Sequence, residues 1–159
     1  MYSAWGTYGT VLGVHSVLRW LVVLAAVVAV VRALIGRVGG RDWTAADTLV
    51  GRVFVVVLDL QVAIGFVIYG LYSAVVRSAL TNPGLTLQTR AFRFWVLEHP
   101  IAMLTAVALA HVGLSRAKTA TGSLAQRHAF LFFGLALIVI LAAIPWPFFT
   151  FGRALWPLK

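Results

Sequence analysis

The sequence predicts an all-α integral membrane protein, a bundle of four transmembrane helices in one domain spanning residues 1–159. Three observations carry that expectation. Of the 159 residues, 62% are hydrophobic and only 11% charged, where a soluble domain has roughly 25% charged residues. Mean hydropathy is +0.97. The basic residues punctuate the chain, with none between Arg52 and Arg77, Arg93 and Arg116, or Arg127 and Arg153. Each gap can hold the ~20 apolar residues that cross a hydrocarbon core, and a fourth apolar run precedes Arg32, broken only by Arg19. Helices are expected, because in lipid each satisfies its own backbone hydrogen bonds.

In chain order, residues 1–9 are aromatic and glycine-containing, with Trp5 and Tyr8, and are expected at the membrane surface. They lack the basic region of a signal peptide, so the first helix is expected to be retained. Helix 1 is expected over residues 10–34. The turn-rich loop 36–47 follows, and Asp47 is expected to cap helix 2. Helix 2 is expected over residues 48–76 and contains Asp59 and Gln61. The connection 78–89, with Asn82-Pro83-Gly84, is the longest and has room for a short interfacial segment. Helix 3 is expected over residues 91–115. Thr121-Gly122-Ser123 turns the chain into helix 4, residues 124–144, which Pro145-Trp146-Pro147 stops because proline cannot donate a helical hydrogen bond. The tail from Phe148 to Trp156 reads as an aromatic interfacial belt.

The net charge of +9 sits at helix ends and in short loops, where it anchors against lipid headgroups rather than binding nucleic acid. Loops 32–52 and 116–127 carry seven Lys/Arg and the opposite side five. The termini are therefore expected outside the cytoplasm of a bacterial inner membrane. There is no cysteine, which excludes disulfides, thiolate metal sites, iron–sulfur clusters and Cys-anchored haem.

The four histidines sort by depth into two pairs. His15 and His99 lie near the side of the termini, His111 and His128 near the short loops. Ionisable groups at membrane depth are costly and usually face a partner or a cofactor. His99 heads a helical face with Ala102, Met103, Ala106, Ala110 and Gly113; His15 heads one with Leu18, Arg19, Val22, Ala26, Ala29 and Ala33. Two imidazoles from facing helices can ligate one haem iron, and small residues let a flat ring approach. Arg19 is then placed to pair with a haem propionate. Glu98 is placed to pair with Arg19 or to orient an imidazole. The plainer alternative makes both histidines interhelical contacts and the alanine strips close packing.

His99 and His111 are about 18 Å apart along the axis and about 120° around it, so one face cannot present both. His111 and His128 either hold a second haem between helices 3 and 4 or are interfacial histidines beside basic anchors. Asp59 is expected to accept from His111, pair with an arginine, relay protons near a quinone, or serve as a structural contact.

Four stretches carry a resemblance: His15-Ser-Val-Leu-Arg-Trp20, Glu98-His99-Pro-Ile-Ala-Met103, Gly113-Leu-Ser-Arg-Ala-Lys118 and Ile144-Pro-Trp-Pro-Phe148. Together they make the chain resemble small bacterial four-helix membrane proteins described as cytochrome b-like. What the resemblance implies is haem b held by His15 and His99, and no substrate. The expected function is membrane electron transfer, with a quinol or a partner redox subunit exchanging electrons; a carrier or subunit is expected rather than a stand-alone enzyme. The competing expectation is a cofactor-free accessory subunit of a respiratory or photosynthetic complex. A transporter or copper-handling protein fits less well, because there is no internal repeat and the two methionines make a poor soft-metal site.

Overall fold

Among the described residues all regular structure is helical, and four helices are long and apolar enough to cross a membrane: 6–38, 45–72, 90–119 and 123–143. The computed structural model describes residues 4–155, without the side chains of residues 4, 5, 85 and 87. The expected belt residue Trp156 and the side chain of Trp5 lie outside the described set. The chain is a multi-pass α-helical membrane bundle.

Helix α1 (Ala4–Val38) starts earlier and ends later than its hydropathy suggests. Gly36 stays helical because the chain needs it there for packing: a Cβ at Gly36 would collide with the Gln126 amide of the last helix. Gly40, at φ +62°, turns the chain out of the helix, the conformation glycine adopts most readily. Helix α2 (Ala45–Val67) is capped by Thr44, not by Asp47 as expected. Asp47 is the other half of a capping box, its carboxylate accepting from the Thr44 N–H at 2.8 Å while Thr44 Oγ1 accepts from the Asp47 N–H.

Asp47 does more than cap. Its side chain is buried, and the carboxylate takes Arg32 at 2.6 Å, Arg41 at 2.9 Å and the Gln126 amide at 3.2 Å. One carboxylate thus joins α1, the first loop, α2 and the last helix. The same hydrogen bond pushes the Arg41 guanidinium, outside the spans, further towards its charged form.

The second span does not run to residue 76. It loosens into a π turn, Ile68–Tyr72, and stops at Ser73, whose Oγ accepts from the Val76 N–H and starts α3 (Ala74–Thr81). The expected short segment in the long connection is α4 (Pro83–Gln88). The third span opens as α5 (Arg90–Arg93), passes through a second π turn, Phe94–Glu98, and becomes α6 (His99–Thr119). Pro100 accounts for the irregularity. It cannot donate to the Val96 carbonyl one turn back, and the Tyr69 hydroxyl of the first π turn donates to that carbonyl instead, at 3.1 Å. Such turns arise where the regular ladder is interrupted. The last span is α7 (Ser123–Ala143), and Ile144 leaves it extended ahead of Pro145.

α1 packs against α2 and α7; α6 packs against α7 and, less extensively, α2. The four spans therefore form an antiparallel ring in sequence order, with α1 and α6 across the diagonal. The alanine strips do what the plainer expectation assigned to them. Ala26, Ala29 and Ala33, Ala106, Ala110 and Ala117, and Ala129 and Ala136 are all buried in one core around Phe54 and Phe133, whose rings meet edge to face at 5.5 Å. Gly113 belongs to this packing, since a Cβ there would lie 2.7 Å from the Phe132 Cβ.

Residues beyond α7 fold back as a strap rather than lying as a simple belt. The Phe149 N–H donates to the Trp146 carbonyl, Gly152 to Phe149 and Arg153 to Pro145. Phe151 is buried and stacks on Phe94 at 4.0 Å. Phe148 remains outside and exposed.

Candidate functional site

The close packing stops short of the end that carries the termini. Here the helices line a partly open cavity of about 490 Å³. His15, Ser16 and Arg19 of α1, Leu58, Gln61 and Gly65 of α2, His99 and Met103 of α6, Ile140 of α7 and Arg153 of the strap all line it. The structure brings His15 and His99 to this one cavity from diagonally opposite helices.

Each imidazole has one nitrogen engaged by the protein. His99 donates its Nδ1–H to the Ala143 carbonyl at 2.9 Å. That carbonyl is free because its helical donor would be residue 147, a proline. In the neutral ring the lone pair is then on Nε2. His99 is also braced by the rings of Phe94 and Trp95, at 5.7 and 5.8 Å.

His15 Nε2 stands 3.2 Å from the Gln61 amide nitrogen, which also donates to the His15 carbonyl at 3.0 Å. Nδ1 of His15 is buried and has no partner. Gly65 lets α2 come this close, since a Cβ would sit 3.3 Å from His15 Cε1. Arg19 donates from Nη2 to the Leu155 carbonyl at 2.6 Å and lies over Trp20. Its Nε and the Gln61 Oε1 are buried without partners. Three orphaned polar atoms therefore belong to residues of one cavity wall, which is the pattern of a site whose polar complement lies outside the chain.

The other candidates lie elsewhere. Glu98 does not meet Arg19 or an imidazole; it turns outward and pairs with Arg93 at 2.7 Å. His111 is bound to Asp59, its Nε2 standing 3.1 Å from both carboxylate oxygens on the outer side of the α2–α6 contact. His128, on α7, has a buried Nδ1 without a partner and does not line the cavity. No pocket brings His111 and His128 together among those described. Nor do the described residues gather three or more His, Asp or Glu side chains that could hold a metal ion by themselves.

Sequence reasoning named Gln61 without a role and missed Arg153, Tyr69 and the Ala143 carbonyl. A glutamine inside an apolar run and a proline four residues beyond Ala143 were the available signals for two of them. No family model, curated protein or solved structure matches the chain.

Proposed function

We propose that this chain is a membrane electron-transfer protein that binds haem b through His15 and His99. The observation that carries the reading is the pair of imidazoles on one cavity, with His99 engaged by the protein through its Nδ1–H alone. Donating Nδ1–H to the Ala143 carbonyl sets the His99 ring and leaves its Nε2 for a metal, whereas His15 Nε2 accepts from the Gln61 amide and reaches a metal once Gln61 turns aside and frees that lone pair. The cavity volume of about 490 Å³ falls within the roughly 300–1,000 Å³ of small-molecule and cofactor sites. Its walls are mainly apolar, with Leu58, Met103 and Ile140 below the histidines.

In this reading His99, braced on the Ala143 carbonyl, and His15, released from Gln61, would hold the haem iron. Haem b held by two histidines supplies a one-electron couple with no coordination position left for oxygen or substrate. The chain's own part is to fix the two imidazoles, exclude water with the strap and the aromatic side chains, and set the polarity around the site. The electron partner is a quinol or another redox subunit. The positive-inside bias puts the cavity and both termini on the non-cytoplasmic side of a bacterial inner membrane.

One observation favours the second reading, a cofactor-free accessory subunit: the alanine strips are consumed by helix packing and do not form a floor for a ring. A visible spectrum of purified protein separates the two. Bis-histidine haem gives a sharp α band on reduction, expected to vanish in both His15→Ala and His99→Ala. Colourless protein from haem-replete cells sinks the haem reading.

A further inference from the structure

The charge balance of the cavity is one-sided. The chain has four acidic residues, Asp42, Asp47, Asp59 and Glu98, and none lines the cavity. Asp47 is taken by Arg32 and Arg41, Asp59 by His111 and Glu98 by Arg93. Asp42 sits at the far end of the bundle, where its carbonyl accepts from Gln126. Two arginines do line the cavity, Arg19 from α1 and Arg153 from the strap.

Among the described residues neither guanidinium meets an anion. Arg19 spends one nitrogen on the Leu155 carbonyl and keeps Nε buried without a partner. Arg153 reaches the Tyr8 hydroxyl at 3.5 Å and lies 4.4 Å over the Trp95 ring. A guanidinium presents five donors in a fork that fits a carboxylate or phosphate. Arg19, within the first span and on an apolar cavity, is costly unless an anion complements it, and Arg153, itself exposed, reaches the same cavity from the strap.

We infer that Arg19 and Arg153 form an acid-binding pair, and that the ligand of this cavity is an apolar macrocycle carrying two acid groups. The inference rests on the haem reading, since haem b carries two propionates, and adds a second arginine and the strap to the site. Arg153 comes from the strap, and the Leu155 carbonyl of the strap receives Arg19. The ligand and the strap are therefore held by the same two side chains.

Metal-free protoporphyrin IX tests the acid pair apart from the histidines, because without iron there is nothing to ligate. Fluorescence titration of the full chain in zwitterionic lipid nanodiscs compares the diacid with its dimethyl ester. Wild-type protein is expected to bind the diacid roughly tenfold or more tightly than the diester, the size of one or more charge-assisted hydrogen bonds. The preference is expected to shrink in Arg19→Gln and Arg153→Gln, to persist in part in Arg153→Lys, and to stay unchanged in His111→Ala, a change outside the cavity. The wild-type comparison needs no variant, so it stands even where Arg19→Gln fails to fold.

Equal binding of diacid and diester, or no binding of either, overturns the inference. So does a diacid preference that survives both arginine-to-glutamine changes. Binding of phosphatidylglycerol through these arginines, with neither porphyrin bound, makes the pair a lipid-phosphate site and also overturns it. Protein that shows no reduced-haem band yet prefers the diacid through its arginines keeps this inference and loses the haem reading.

Discussion

The two ends of the bundle solve opposite problems with the same residue types. At the short-loop end, glycine and alanine bring helices into contact and a buried carboxylate ties them together: Gly36 against Gln126, Gly113 against Phe132, Asp47 under two arginines. At the other end Gly65 makes room for His15, two π turns interrupt the helices, and buried polar atoms remain unpaired around a cavity. A small residue is thus not a signature of either. What differs is whether the helices beside it close on a packed core or leave a cavity.

The largest effect on stability is expected at Asp47. Removing it in Asp47→Ala leaves Arg32, Arg41 and Gln126 without their shared acceptor, and losing one member of a buried ionic network costs roughly 3–5 kcal/mol. Here both arginines are more than a third exposed, so solvent screening reduces the cost to about 2–3 kcal/mol. An unfolding titration in mixed micelles measures it. A loss below about 0.5 kcal/mol, the level of an ordinary surface change, would mean that this end is not held by its charge network.

A second pair of substitutions sets the two ends against each other. Gly113→Val pushes into the Phe132 backbone side of α7 and is expected to cost about 1–3 kcal/mol by overpacking, without changing the spectrum of any bound pigment. Gly65→Val meets the His15 ring, which has a cavity beside it to move into. Its stability cost is expected to be under about 1 kcal/mol, smaller than a packed site would show, with a clear change in the absorption of the ligand-bound protein. Equal costs at the two positions would erase the distinction between a packed and an open end.

Much of the fold follows from hydropathy and charge spacing. The four spans are visible as gaps between arginines, and the stop at Ala143 as Pro145 and Pro147. The depth of each histidine follows from its distance to a helix end, and the Asp59–His111 contact from two intramembrane ionisable groups in need of partners. Other features depend on which helix stands beside which. Glu98 lies next to His99 in sequence, but the π turn carries it outward to Arg93. Arg153 belongs to a tail that reads as a membrane belt, and only the back-folding held by Phe94 and Phe151 brings it to the cavity. The early stop of the second span at Ser73 is a local competition between a serine cap and a continuing helix, which an apolar window does not register.

The smallest expected effect tests how the open end is kept in shape. Pro100 denies the Val96 carbonyl its helical donor, and Tyr69, from the facing π turn, donates in its place. Tyr69→Phe removes that hydroxyl, and hydrogen bonds between helices in membranes are worth roughly 0.6 kcal/mol on average and under about 2 kcal/mol at most. The expected loss is therefore about 1 kcal/mol. Pro100→Ala restores a backbone N–H that can reach the same carbonyl, so in that background Tyr69→Phe is expected to cost nearly nothing. The coupling in this double-mutant cycle then equals the Tyr69→Phe loss itself. If Tyr69→Phe costs the same with and without Pro100, the tyrosine is not a substitute for the missing helical bond. The two π turns would then be independent features of α2 and α6 rather than one device holding the helices apart at the cavity.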